Sequence, residues 1–224
     1  MGEASSYLQT VGRSLEILEL VGSFPGLTLS EIARRYGMST TVVYRLLYTL
    51  TCSGFLQQEP GGKRYFLGDK ALLIGLQSLD NREIKRIAQH FMWDYYERTG
   101  EHCILTVPCA EYSLCIERIG SFPDASNTVR LGGIYPLHKG ASNRVLLAFF
   151  PKPEQQRYLD RLSLNPEERQ RLQGELDEVV ARGYDFSRGA LTPGQFGLGF
   201  PLFDRSRALV GALSTGGYMS DLSE

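Results

Sequence analysis

Thr40, Thr41, Tyr44 and Arg45, followed by Tyr48 and Thr49, set hydroxyls, phenol rings and one guanidinium on a single side of a short helical repeat. That chemistry suits base edges and the phosphates between them. Arg pairs with guanine in bidentate fashion or clamps a phosphate, and Thr and Tyr can do either. No Asp or Glu interrupts the face, where an acid would meet phosphate. Lys63 and Arg64 stand at the tip of a downstream turn, placed to reach a DNA backbone or a minor groove. With Ser39, the candidate nucleic-acid contacts are Ser39, Thr40, Thr41, Tyr44, Arg45, Lys63 and Arg64. Tyr48 suits packing against a neighbouring helix as well as it suits DNA.

The elements that must position these residues lie within 28–67. Thr28 followed by Glu31 fits a capping box, which starts a helix with Leu29, Ile32 and Ala33 on one face. Gly37 sits where that helix must stop, because a left-handed residue carries no penalty as Gly. Ser39 can cap the next helix, whose buried face reads Val42, Val43, Leu46, Leu47 and Leu50. Gly54 ends it. Residues 55–58 and 64–67 then read as two strands around Glu59-Pro60-Gly61-Gly62-Lys63. A helix, a glycine turn, a capped helix and a hairpin with a basic tip make a winged helix-turn-helix.

The chain has 224 residues and a formal net charge of −1, so it is not basic throughout, and a local patch must supply any phosphate affinity. Arg13, Arg34, Arg35, Arg45, Lys63 and Arg64 are nearly cancelled by Glu3, Glu16, Glu19, Glu31 and Glu59. Modest affinity per subunit therefore points to a homodimer or homotetramer on double-stranded operator DNA. Cys52, Cys103, Cys109 and Cys115 form no CxxC pair and read as reduced, mostly buried thiols of a cytoplasmic protein. No apolar run approaches membrane-helix length and no signal peptide opens the chain.

Ahead of the DNA-reading unit, residues 1–6 read as a disordered arm and 8–21 as a helix with Leu15, Ile17, Leu18 and Val21 apolar. Behind it, 69–79 is amphipathic through Leu72, Leu73 and Leu76 and leads to a second helix over about 81–98. The domain boundary falls near Leu79-Asp80, giving units of 1–79 and 80–224. The second unit alternates strands and helices: a hairpin of 101–109 and 112–119, a third strand at 128–131, helices at 140–150, 153–162 and 166–182, and strands at 184–187, 198–203 and 208–215. That pattern predicts an α+β sheet domain of sensor type.

The ordered set of motifs resembles the IclR family of bacterial transcription regulators over nearly the whole chain. Arg13-Ser14-Leu15-Glu16-Ile17-Leu18, Leu29-Ser30-Glu31-Ile32-Ala33 and Val43-Tyr44-Arg45-Leu46-Leu47 look like its first three helices. Gly54-Phe55-Leu56 and Arg64-Tyr65-Phe66-Leu67-Gly68 look like its wing. Pro136-Leu137-His138, Leu146-Leu147-Ala148-Phe149, Arg182-Gly183-Tyr184, Pro201-Leu202-Phe203-Asp204 and Gly211-Ala212-Leu213-Ser214 follow in the family's order. The resemblance implies a winged helix-turn-helix joined by a helical linker to a GAF-like α+β domain that binds a small effector, with dimers or tetramers controlling catabolic operons. The family's C-terminal helix would begin where this chain stops, which implies a shortened chain or a different closure of the domain. Asn143-Arg144 replaces the usual Gly-Lys or Gly-Arg pair, and Ser187-Arg188-Gly189 replaces an acidic stretch, which implies a different ligand charge.

The resemblance places the effector at Ala141, Ser142, Ser187, Arg188, Gly197 and Ser214. A helix start offers free N–H groups and a positive dipole end, which suits the carboxylate of a small organic acid, an aromatic one included. Arg130, Arg144 and Arg188 are candidate charge partners, and Leu131, Tyr135 and Phe196 a candidate apolar wall. Two rival readings stand beside this one: a second domain that only oligomerises, and an enzymatic second domain. Against the enzyme, the three histidines form no HExxH motif or Cys/His cluster, and no GxSxG elbow occurs. No catalytic residue, metal or cofactor is expected.

Overall fold

The computed structural model describes residues 6–80, 83–120 and 129–222. It divides into two compact units, Met1–Asn81 and Arg82–Glu224. Residues 1–5 of the expected arm, the start of the second linker helix at 81–82 and Thr128 lie outside the described residues.

The first unit runs α1 (Gln9–Ser23), β1 (Leu27–Thr28), α2 (Leu29–Tyr36), α3 (Thr40–Cys52), β2 (Leu56–Gln58), β3 (Arg64–Leu67) and α4 (Asp69–Asp80). The capping box forms as expected: the Glu31 amide donates to Thr28 Oγ1 and the Thr28 amide to Glu31 Oε2. These bonds hold the Glu31 carboxyl below its ordinary pKa. Gly37 ends α2 at φ 62°, a left-handed turn with open space around it. Ile17, Val21, Ile32, Val43, Leu46, Leu47, Leu50, Leu56 and Tyr65 close one apolar core. Val42 departs from the expected buried face and is exposed, since it falls a residue outside the stripe that faces α1 and α2. Leu15 is exposed as well. The wing has a third strand that the sequence did not announce: β1 pairs with β3 through Leu27↔Tyr65. Two residues are too few to display an alternation.

The second unit runs α5 (Glu83–Thr99), β4 (Cys103–Cys109), β5 (Tyr112–Ile119), β6 (Ile134–Pro136), α6 (Ala141–Ala148), α7 (Lys152–Arg161), α8 (Pro166–Arg182), β7 (Asp185–Arg188), β8 (Gln195–Phe203) and β9 (Leu209–Tyr218). The strands form one antiparallel sheet in the order β6-β5-β4-β9-β8-β7. Alternation along β9 divides its residues between two layers. Gly211 and Leu213 face the α5 side, where a Cβ on Gly211 would stand 3.1 Å from Ile84 Cδ1. Ala212 faces α6 and α8 and joins Leu146, Leu147, Leu172, Leu176 and Val179 in the core. The third strand is Ile134–Pro136, not 128–131. Leu131 and Gly132 lie in a turn closed by Gly132 N–H donating to Cys115 C=O, and Gly132 there has φ 75°. Cys103 and Cys115 are buried, which pushes both thiols up to about 11, whereas Cys52 and Cys109 are exposed. The expectation of mostly buried thiols therefore holds for half of them.

Candidate functional site

In the first unit, α3 turns Val43, Leu46, Leu47 and Leu50 into the core and leaves Thr40, Thr41, Tyr44, Arg45, Tyr48 and Thr49 exposed. Ser39 caps the helix, accepting the Val42 amide through its side chain at 3.4 Å. That bond occupies its hydroxyl oxygen and aims the first turn outward. Tyr44 and Tyr48 stack at 6.2 Å between ring centroids. Thr49 donates to the Arg45 carbonyl, which turns its hydroxyl back on the helix. Among the described residues no acid pairs with Arg45. Lys63 is exposed beside the Gly61-Gly62 turn. Arg64 sits differently from the expected free tip: Nη1 donates to the Gly26 carbonyl at 2.8 Å and splints β3 to the end of α1. Only the rest of its guanidinium is free to face a partner.

In the second unit, one cavity lies between the start of α6 and the inner face of the sheet. Ala141, Ser142, Ser187, Gly197 and Ser214 line it together, although they come from α6, β7, β8 and β9. Gly140, at φ 88°, brings the chain into α6 with no side-chain cap on its first-turn amides. Gly199 allows the close approach: a Cβ there would stand 2.7 Å from the Ser142 nitrogen and 2.8 Å from the Ala141 carbonyl carbon. Ser187 Oγ donates to the Gly197 carbonyl at 3.5 Å. The cavity volume is about 70 Å³, roughly half the ~150 Å³ of an engineered apolar site that takes benzene.

Several expected partners lie elsewhere. Arg188 does not line the cavity. It neighbours Ser187 on β7 and so points to the opposite face, over the Phe186 ring at 5.4 Å. Arg144 is fully engaged by acids: Nε and Nη2 donate to the two oxygens of Asp185 at 2.8 and 2.9 Å, and Nη1 to Glu175 at 2.8 Å. Arg130 and Leu131 are exposed, and the Arg130 amide donates to the Tyr135 hydroxyl. Phe196 borders the cavity while its ring stacks on Phe186. Asn143 is buried between Ser113 Oγ, which donates to its Oδ1, and the Lys139 carbonyl. Sequence reasoning missed His102, Ile104, Thr192 and Gln195, which also line the cavity. His102 and Ile104 carried a usable signal, being two apart at the start of β4 and so on one face. Burial, and then the charge of Arg118, push His102 down to about 4. Among the described residues no group of three or more His, Cys, Asp or Glu could hold a metal ion, and no helix is long and apolar enough to cross a membrane.

A winged helix with an outward polar face, joined in one chain to an antiparallel sheet domain packed with helices, is the architecture of a DNA-binding transcription regulator. The chain belongs to the IclR family of transcription regulators. The family's helix-turn-helix domain matches residues 10–60, and its C-terminal domain, described as that of the bacterial transcriptional regulator IclR, matches 76–224. The chain is 30% identical to the HTH-type transcriptional regulator KipR of Bacillus subtilis, over 96% of this chain and 88% of that protein. It is 29% identical to the glycerol operon regulatory protein of Streptomyces griseus, over 94% and 85%. An IclR homolog of Microbacterium hydrocarbonoxydans, solved in complex with 4-hydroxybenzoate, shares the fold at a TM-score of 0.77 and 21% identity, covering 96% of this chain and 91% of that one.

Proposed function

We propose that this regulator controls a catabolic operon from the cytoplasm and answers a small organic acid held at the start of α6. The observation that carries the reading is the cavity itself. Five residues from four elements meet at an uncapped helix start, and among the described lining residues there is no Asp or Glu. A helix N-terminus with neighbouring hydroxyls is a seat for a carboxylate. The 4-hydroxybenzoate complex of the Microbacterium homolog and the glycerol operon protein support an organic ligand and a catabolic target. The size of the cavity favours a short aliphatic acid over an aromatic one.

On DNA, the regulator acts as a homodimer or homotetramer. Ser39, Thr40, Thr41, Tyr44 and Arg45 meet the major groove, and Lys63 and Arg64 the flanking backbone or minor groove. Two copies of α3 then read half-sites about 34 Å, one helical turn, apart or at a multiple of that spacing. Acid binding shifts the population between two arrangements of the assembly, with α4 and α5 as connector.

A gel shift on the DNA upstream of the protein's own gene, at fixed salt with scrambled competitor, should give a specific band that one short acid abolishes or sharpens. The same acid should raise the melting temperature of the free protein, and a band and a melt indifferent to every acid would reject the ligand assignment. Arg45→Ala should weaken operator binding about tenfold to a hundredfold, the range expected for loss of a bidentate base contact. Its thermal response to the acid should stay as in the parent protein. An unchanged operator affinity would move the reading face away from α3.

A further inference from the structure

We propose that His102 is the counter-ion of the cavity: a small aliphatic acid seated on the first-turn amides of α6 is held together with a proton on the His102 imidazole. This rests on the acid-binding reading above and gives the ligand its second contact.

The placement follows from sheet register. Ile104 pairs with Ser214, Gly216 with Gly197, and Gly197 with Ser187. Gly216, Gly197 and Ser187 form one row across β9, β8 and β7, His102 stands one residue before β4 on the same side as Ile104, and all four line the cavity. The two middle positions are glycines, so the row has a bare floor between polar ends. α6 closes over its far half: a Cβ on Gly197 would lie 3.5 Å from the Ala141 Cβ. His102 and Gly197 stand two strand spacings apart, about 10 Å. An imidazole reaching in from one end and helix amides from the other leave room between them for a carboxylate and one or two carbons. A cavity of about 70 Å³ holds a molecule of that size.

The charges point the same way. Among the described residues, the other cavity-lining groups are apolar or uncharged Ser, Thr and Gln, so an anion beside them meets a helix dipole and hydroxyls. Among the described lining residues, His102 is the one whose charge can change near neutral pH. The charged group acting on it is the Arg118 guanidinium of β5, and the Tyr96 ring of α5 lies nearby, beside Gly120; the Cys103 thiol, one residue on, stays protonated. Burial and Arg118 keep the imidazole neutral while the cavity is empty, and an anion at contact distance opposes both. Binding therefore takes up a proton, and affinity rises as pH falls.

The test uses the full chain and acetate as the probe. The ring resonances of His90, His102 and His138 are followed by NMR from pH 8 to pH 5, in sodium acetate and in sodium chloride of equal ionic strength, with His102→Gln assigning the His102 signal. The Ala141 and Ser142 amide shifts report the seat at α6. In chloride His102 should stay neutral throughout. In acetate it should titrate within the window, while both amides move and the other two histidines are unchanged. Acetate should bind about tenfold more tightly at pH 5.5 than at pH 7.5 in the parent protein, as for an imidazole restored to its ordinary range, and equally at both in His102→Gln. Amides that move while His102 stays neutral overturn the counter-ion role and leave the acid seat standing. Amides that do not move overturn both.

Discussion

Replacing Arg144 with Met should destabilise the second unit by about 3–5 kcal/mol, the usual consequence of removing one partner from a buried ion pair. The reason lies in what remains. The Asp185 side chain is only 1% exposed, and Arg144 meets both of its oxygens at 2.8 and 2.9 Å. Without the guanidinium, a carboxylate stays inside with neither water nor cation. Glu175, whose side chain is 41% exposed, can turn to solvent and adds little to the loss. Urea unfolding would measure the change, and Arg144→Met with Asp185→Leu should recover most of it, because a well-packed apolar pair removes the stranded charge. A single mutant within 1 kcal/mol of the parent, or a double mutant no better than the single, would show that Asp185 finds another partner. The pair has a functional consequence too. Arg144 lies two residues beyond Ser142 on α6, so the clamp that joins α6 to β7 also fixes the first-turn amides over Ser187.

The second large effect is the pH dependence of stability. His102 titrates near 6.5 when unfolded and near 4 when folded. The unfolded chain therefore binds the extra proton across that interval. The stability linked to His102 is complete above about pH 6.5, declines as pH falls, and is gone below about 4. Between pH 7.5 and pH 5 the loss should be about 2 kcal/mol by proton linkage, discounted for any water that reaches the cavity. The carboxylates of the chain add their own acid dependence, so the informative quantity is the difference between the parent and His102→Gln, followed by urea unfolding at each pH. That difference should move in favour of the glutamine variant as pH falls. Parallel curves would mean that the imidazole is as well solvated in the fold as outside it. Acetate should reduce the loss in the parent protein at pH 5, since an anion beside His102 repays the cost of its charge.

The DNA-reading unit was legible because its information is local. The capping box, the glycine stop at Gly37, the Ser39 cap and, Val42 apart, the apolar stripe of α3 are patterns within one turn or two, and each formed. The exceptions are non-local. Arg64 looked free at a hairpin tip until the fold brought Gly26, 38 residues earlier, within 2.8 Å. β1 is a strand only because β3 lies beside it.

The cavity shows the same division more sharply. The family resemblance placed Ala141, Ser142, Ser187, Gly197 and Ser214, and the structure brings all five to one wall. The arginines proposed beside them do not follow. Arg188 is turned away by the two-residue period of its strand, and Arg144 is claimed by Asp185, 41 residues on.

The sequence by itself determined the winged helix-turn-helix, most of the helices, the caps of α2 and α3 and the outward face of α3, because capping, periodicity and ordered motifs act over a few residues at a time. Only the tertiary structure decided which charges are spent and which residues share a wall. Ion pairing and burial depend on distances between segments far apart in the chain. His102 enters the cavity for that reason: the sheet brings the residue before β4 beside a row of Gly216, Gly197 and Ser187, which lie 85 to 114 residues away.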